Sequence, residues 1–252
     1  MAENGWEQYL TEYHDGHPGI TEQVLAVARD AGGRSPYDWL VEAVPARSST
    51  VVDLACGSGP VGRLLPAARV VGVDRSAGEL DGARAGGTPG LLVRARATAV
   101  PVVDGAADAV VSSMALMVLA PLDAVLDEVR RVLRPGGTFV ATVPVRSARQ
   151  GAVFDEILAA LGQAGTDYPC DLDGGSVAAR LAGAGLTLVG NDTGLFIRTI
   201  SDEDEAGVVV RSFYAPGADD ARVAAAVAGL ERRVRSGSVR VGYRIRRLVA
   251  VG

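Results

Sequence analysis

The chain has 252 residues, 48% of them apolar, enough to bury one sizeable core. With 25 basic against 30 acidic side chains and a net charge of -5, it has no overall field to hold nucleic acid or an anionic membrane, so the expected partner is a small molecule. Two cysteines and two histidines fall short of a Cys/His zinc cluster, and no metal is expected. No window approaches 18 unbroken apolar residues, and no basic opening runs into an apolar stretch. Neither membrane insertion nor export is therefore expected, and the chain is assigned to the cytoplasm. All 25 basic residues are arginine, which excludes a lysine Schiff base and a P-loop lysine.

Residues 1–34 are polar and aromatic, with Ile20, Val24, Leu25, Val27 and Ala28 at helical spacing before Gly32 and Gly33. They predict an N-terminal helical cap. Ser35 as N-cap and Pro36 in the first turn start the next helix, which carries Trp39, Leu40 and Val44 before Pro45 ends it. Short apolar runs then alternate with helical stretches: strands at 51–54, 70–73, 91–93, 109–112 and 138–143, and helices at 60–66, 76–85 and 121–133. Strands apolar on both faces and spaced by helices predict a parallel sheet wrapped by helices, with the strand C-termini on one ligand-binding edge. From 145 to 185 the chain reads as helical and broken by glycine. A strand at 186–200, a helix at 218–235 and an alternating strand to the end follow. "SDEDEAG", from Ser201, reads as a solvated acidic turn, and the arginines of "ERRVRSGSVRVGYRIRR" as the solvated face of the last strand.

"VVDLACGSGP", Val51 to Pro60, places Asp53, Ala55, Gly57 and Gly59 at the exit of the first strand. Small residues there let backbone N–H groups approach a ligand at the start of the following helix, although the spacing alone also suits nicotinamide and flavin cofactors or a mere tight turn. The carboxylate narrows the choice. At the strand end Asp53 would hold a donor such as an ammonium group, whereas the pyrophosphate of a dinucleotide would be repelled. Asp74, 21 positions later at the end of "VVGVDRS", is placed to accept both hydroxyls of a ribose, since Ser76 already serves as the helix N-cap.

With these motifs the chain resembles the class I S-adenosylmethionine-dependent methyltransferases, in particular the small-molecule enzymes of the ubiquinone/menaquinone-biosynthesis-like group. "VVDLACGSGP" is similar to their first motif, with Ala55 where a glycine often stands, and "VVGVDRS" to their ribose-binding acid. "ATAVPVVDGAADAVVSSMALMVL" and "LDEVRRVLRPGGTFVATVP" resemble the exit of the third strand with the fourth, and the helix, turn and fifth strand that close their shared core. The resemblance runs from about 35 to 145. It implies S-adenosyl-L-methionine as cofactor, its methionine half lined by Asp53, Gly57 and Gly59, its ribose held by Asp74, its adenine flanked by Arg75 and Ala97, and its sulfonium over Ser112. Arg96 stands where many relatives carry an acid near the adenine amine, and Met117 where many carry histidine.

A base is required only for an acceptor that begins protonated. The candidates are His14 and His17 in the cap, where either could instead be a surface residue; His14, beside Tyr13 and Asp15, is preferred as the catalytic residue. Tyr9 and Tyr13, four apart on a helix, either close over the cofactor or pack the cap, and Tyr13 is expected among the cofactor-binding residues. Met114, Leu116 and Met117 suit either an apolar substrate pocket or plain core, and Cys170 reads as an ordinary loop or core residue. The expected architecture is a Rossmann-like three-layer α/β sandwich of one domain with a mostly parallel seven-stranded sheet. Residues 1–34 form its cap, 35–145 its cofactor-binding core, and 146–252 a substrate-side insertion after the fifth strand together with the C-terminal strands. The expected function is methyl transfer from S-adenosylmethionine to a small molecule, such as a secondary metabolite, at oxygen, carbon or nitrogen. The alternative is an enzyme of the same fold that keeps the methyl and catalyses a cyclisation or rearrangement, and a nicotinamide-dependent oxidoreductase is a third reading.

Overall fold

The computed structural model describes residues 3–145, 151–163, 168–170, 172 and 175–252. Helix α1 (Glu3–Gly16) and α2 (Ile20–Leu25) form the cap, followed by α3 (Pro36–Val41), β1 (Thr50–Leu54), α4 (Pro60–Arg63) and β2 (Arg69–Asp74). Then come α5 (Ala77–Ala85), β3 (Leu91–Arg94), β4 (Ala107–Ser113), α6 (Leu122–Val132) and β5 (Leu133–Pro144). The remainder comprises α7 (Ala152–Ala160), α8 (Gly175–Gly183), β6 (Thr187–Ile200), α9 (Asp204–Arg211), α10 (Asp220–Arg235) and β7 (Val239–Val251).

The seven strands form one sheet in the order β3-β2-β1-β4-β5-β7-β6. β1 to β5 are parallel, and β7 runs antiparallel to both its neighbours. Because the chain winds outward from β1 through β2 and β3 and then returns to β4, the strand order reverses between β1 and β4. A crevice opens there at the C-terminal strand ends.

Alternation along each strand builds the two cores. Val51, Ala109, Val111 and Val140 face a layer that includes α2, α3, α9 and α10, while Val52, Leu54, Val110 and Phe139 face a layer with α6 and α8. On α6 the buried residues Leu122, Val125, Leu126, Val129 and Val132 recur at three and four, and so fall on one face. α3 begins with a capping box: Ser35 Oγ accepts from the Asp38 N–H at 3.1 Å and Asp38 Oδ2 from the Ser35 N–H at 2.9 Å.

Three local expectations need correction. The cap helix stops at Leu25, because Arg29 exchanges backbone hydrogen bonds with Ile197 instead, and Val27 is left 52% exposed. The acidic turn enters α9, and its Glu205 pairs with the buried Arg198 at 2.8 Å. The final strand's arginines are only partly solvated: the Arg247 guanidinium lies 4.4 Å from the Trp39 ring centroid and donates to the Trp39 carbonyl.

Two turn residues show what the β1 exit demands of the backbone. Ala55 has a left-handed φ of 56°, a conformation that glycine adopts without penalty. Gly59 has a φ of 80°, and a Cβ added there would lie 2.1 Å from Thr88 Oγ1. Gly59→Ala is therefore expected to destabilise the fold by about 2 kcal/mol or more, whereas Ala55→Gly should raise stability by up to about 1 kcal/mol. Urea unfolding of the two variants would show them moving in opposite directions.

Candidate functional site

A cleft of about 960 Å3, measured to its open mouth, lies at the reversal of strand order. Asp53, Ala55 and Gly57 line it from the β1 exit, Asp74 and Arg75 from the β2 exit, and Ala97 from beyond β3. Ser113 and Met114 come from the β4 exit, and His14, Gly19 and Glu22 from the cap. Tyr214, in the loop between α9 and α10, completes the wall.

Asp53 is 1% exposed, and neither of its carboxylate oxygens has a hydrogen-bond partner. Burial, and second the neighbouring Asp74 carboxylate, push its pKa up to about 7. Asp74 is satisfied differently: Oδ2 accepts from the Gly57 N–H and Oδ1 from the Ser76 N–H, each at 2.9 Å. Burial raises its pKa and those two N–H groups counter the rise. Each oxygen keeps a further lone pair, so acceptor capacity for a ligand remains. Ser76 Oγ caps α5 by accepting from the Glu79 N–H at 3.2 Å.

The Glu79 side chain joins the cap to the core. Its Oε1 lies 2.8 Å from His14 Nδ1, and its Oε2 accepts from the Gly19 N–H at 3.0 Å. His14 Nε2 lies 2.9 Å from the Tyr214 hydroxyl. Since a carboxylate can only accept, His14 carries its proton on Nδ1, and Nε2 accepts from Tyr214. Burial, with Tyr168 and Glu79 nearby, raises the Tyr214 pKa, which keeps the phenol neutral.

Of the residues named from the sequence, the cleft gathers His14, Asp53, Ala55, Gly57, Asp74, Arg75 and Ala97. Tyr13, Gly59 and Ser112 do not line it. Tyr13 donates to the Arg211 carbonyl at 2.7 Å, and Tyr9 accepts from the Ala215 N–H at 2.9 Å, so both pack the cap. Gly59 answers to Thr88 rather than to the cavity. Ser112 points into the sheet's other side with its hydroxyl buried and unpartnered; strand alternation gives the cleft wall to Ser113. Arg96 forms an ion pair with Glu7 of α1, which also holds Arg75 at 3.4 Å. Glu79 and Tyr214 were not anticipated. "SAGE" at 76–79 has the form of a capping box, which gives Glu79 an ordinary role, but its side chain turns to the cap instead.

Comparison with known proteins bears on the same segment. Residues 52–141 match the family described as methyltransferase domain. Over 140 residues the chain is 38% identical to a demethylmenaquinone methyltransferase of Clavibacter sepedonicus. That stretch covers 52% of this chain and 56% of the relative, so the chain spans about half the relative's length. Among solved structures, an S-adenosylmethionine-dependent methyltransferase from Mesorhizobium loti aligns with a TM-score of 0.53 and 21% identity, covering 86% of this chain and 98% of that one. The 4+2 cyclase SpnF aligns with a TM-score of 0.55 and 21% identity, covering 85% and 78%. At these identities the solved structures establish the fold.

S-adenosylmethionine bears an ammonium, a sulfonium and a ribose diol, and the cleft fits those groups. It presents the carboxylates of Glu22, Asp53, Asp74 and Glu79 against one guanidinium, Arg75. Glu22 is engaged by Arg63 and Ser58, which leaves Asp53 as the carboxylate without a partner. Between the ordinary value of 3.8 and about 7, the folded chain retains on Asp53 a proton that the unfolded chain has released. The ligand-free fold therefore loses stability as pH rises through that window. Asp53→Asn should abolish this component, making the ligand-free variant about 2–4 kcal/mol more stable than wild type at pH 8 and nearly equal to it at pH 4. Unfolding at several pH values checks this; parallel profiles for the two proteins would refute it.

Proposed function

We propose that this chain, whose residues 52–141 match the methyltransferase domain family, is a class I methyltransferase that methylates a hydroxyl oxygen of a small molecule with S-adenosylmethionine as methyl donor. The observation that carries the choice of oxygen is the Tyr214, His14 and Glu79 chain of hydrogen bonds at the cleft wall. Bound in the cleft, the cofactor supplies a methyl group on a sulfonium leaving group.

Asp53 would hold the cofactor's ammonium and Asp74 its ribose hydroxyls, and Ala97, on the cleft wall, would flank its adenine. The cap, pinned by Glu79 and by the Ser76 hydroxyl donating to Asp15 at 2.8 Å, covers the cleft and excludes water. The acceptor hydroxyl gives its proton to the Tyr214 oxygen as the Tyr214 proton passes to His14 Nε2. The acceptor oxygen thereby gains a free electron pair for the new bond. The resulting imidazolium faces the Glu79 carboxylate, which stabilises it. Because Tyr214 resists ionisation, the two transfers occur together, without a free phenolate.

This reading supports a refinement of the residue chosen from sequence. His14 acts through Tyr214, the group that meets the acceptor. In Tyr214→Phe and His14→Gln, kcat with a weakly acidic phenol should fall about 10²-fold while affinity for S-adenosylhomocysteine is kept. With a nitrophenol that is already ionised at the assay pH, both variants should approach the wild-type rate. An equal loss for both phenols would contradict the relay. Formation of S-adenosylhomocysteine with a true acceptor also separates methyl transfer from the cyclisation alternative.

A further inference from the structure

A second cavity of about 620 Å3, measured to its open mouth, adjoins the cleft, and Thr21, Met114 and Tyr214 line both. Of these three boundary residues Met114 is the apolar one, and its backbone is unusual. Its φ is 54°, and besides Ala55 it is the only non-glycine residue with a left-handed φ among the described residues. A side chain with a Cβ is disfavoured in that region, whereas glycine enters it freely. The position therefore keeps a long side chain where the backbone favours none, and such strain persists only where the surrounding structure enforces it.

The enforcing contacts come from β5. Ser113, the last residue of β4, is opposite Thr142, and the two hydroxyl oxygens lie 3.2 Å apart. The Met114 N–H then donates to the Thr142 carbonyl at 2.8 Å, which holds the turn at the strand exit. In a strand that continued, residue 114 would lie on the face opposite Ser113, with its side chain in one core layer. The turn instead leaves Met114 half-buried and packed against both layers, which among the described residues no other side chain does. An unbranched thioether suits that position, since it can follow an irregular boundary at the sheet edge.

We propose that Met114 is the threshold between the two chambers and sets the size of the alkyl group that a sulfonium bound in the cleft can carry. The inference rests on the methyl-transfer reading and adds a donor-specificity residue to it. With the cofactor in the cleft, the transferred carbon must face an acceptor along the line of the breaking carbon–sulfur bond. The adjoining chamber is the space on the far side of the boundary, and the Met114 side chain narrows the opening to it. A methyl group fits beside the thioether, whereas a propyl group meets it. Met114 selects by size and moves no proton.

The test measures, by calorimetry and without acceptor, the affinities of S-adenosylhomocysteine, of S-adenosylmethionine and of its S-ethyl and S-propyl analogues. In the wild type affinity should fall about ten-fold or more from the methyl to the propyl compound. In Met114→Gly and Met114→Ala that fall should shrink to within about two-fold, with S-adenosylhomocysteine bound within about two-fold of its wild-type affinity. Met114→Leu, similar in volume, should keep the wild-type fall. Equal binding of the three alkyl compounds by the wild type, a fall retained in both truncated variants, a fall lost in Met114→Leu, or loss of S-adenosylhomocysteine binding in both truncated variants would overturn the proposal while leaving the methyltransferase reading intact. Failure of the wild type to bind S-adenosylhomocysteine would defeat both.

Discussion

A carboxylate buried without a partner is the constraint around which the site is organised. Asp53 stands at the tip of β1, the strand beside which the order reverses, and the sheet encloses it so fully that its oxygens reach neither solvent nor a protein donor. A folded chain tolerates such a group when a ligand supplies the missing charge. The neighbouring features follow from that demand. Ala55 and Gly57 take left-handed conformations that turn the chain sharply past the carboxylate, and Gly57 directs its N–H to Asp74. The two acids consequently sit close enough for Asp74 to raise the pKa of Asp53. A cationic ligand relieves both the desolvation and the repulsion.

The cap gives the site its second half. Glu79 accepts from Gly19 and faces His14, so one buried side chain fixes both the turn between α1 and α2 and the imidazole orientation. His14 in turn reaches Tyr214, 200 residues away in sequence, and aromatic contacts from Tyr9 and Tyr13 hold that loop against α1. Closure of the cleft and assembly of the Glu79, His14 and Tyr214 hydrogen-bond chain are therefore one packing event. No helix among the described residues is long and apolar enough to cross a membrane. The apolar surface contributed by the cap helices packs against the core and the cleft wall.

What the sequence revealed and what it hid have physical causes. Asp53 and Asp74 were legible because each ends an apolar strand just before a turn, where a carboxylate has no packing role. The β1 to β5 core was legible because strands buried on both faces give uninterrupted apolar runs. Neighbouring residues on a single element were harder. Tyr13 and His14 differ by about 100° around a helix, and Ser112 and Ser113 point to opposite faces of a strand, so a one-residue difference decides which of them reaches the cleft. Glu79 was hidden by its resemblance to a cap residue. Tyr214 had no local sign at all, since its contact with His14 arises only when distant segments meet.

The central claim, that Asp53 awaits a cation, has a direct thermodynamic consequence. S-adenosylhomocysteine keeps its ammonium in the acidic and neutral range, so seating it beside Asp53 should expel the proton that burial retains there below a pH of about 7. Calorimetric titration at pH 6 in buffers of different ionisation enthalpy should detect the release of nearly one proton per ligand bound, fading above pH 8 and absent in Asp53→Asn, which should also bind more weakly. Binding with no proton release at pH 6, or undiminished affinity in Asp53→Asn, would contradict the account.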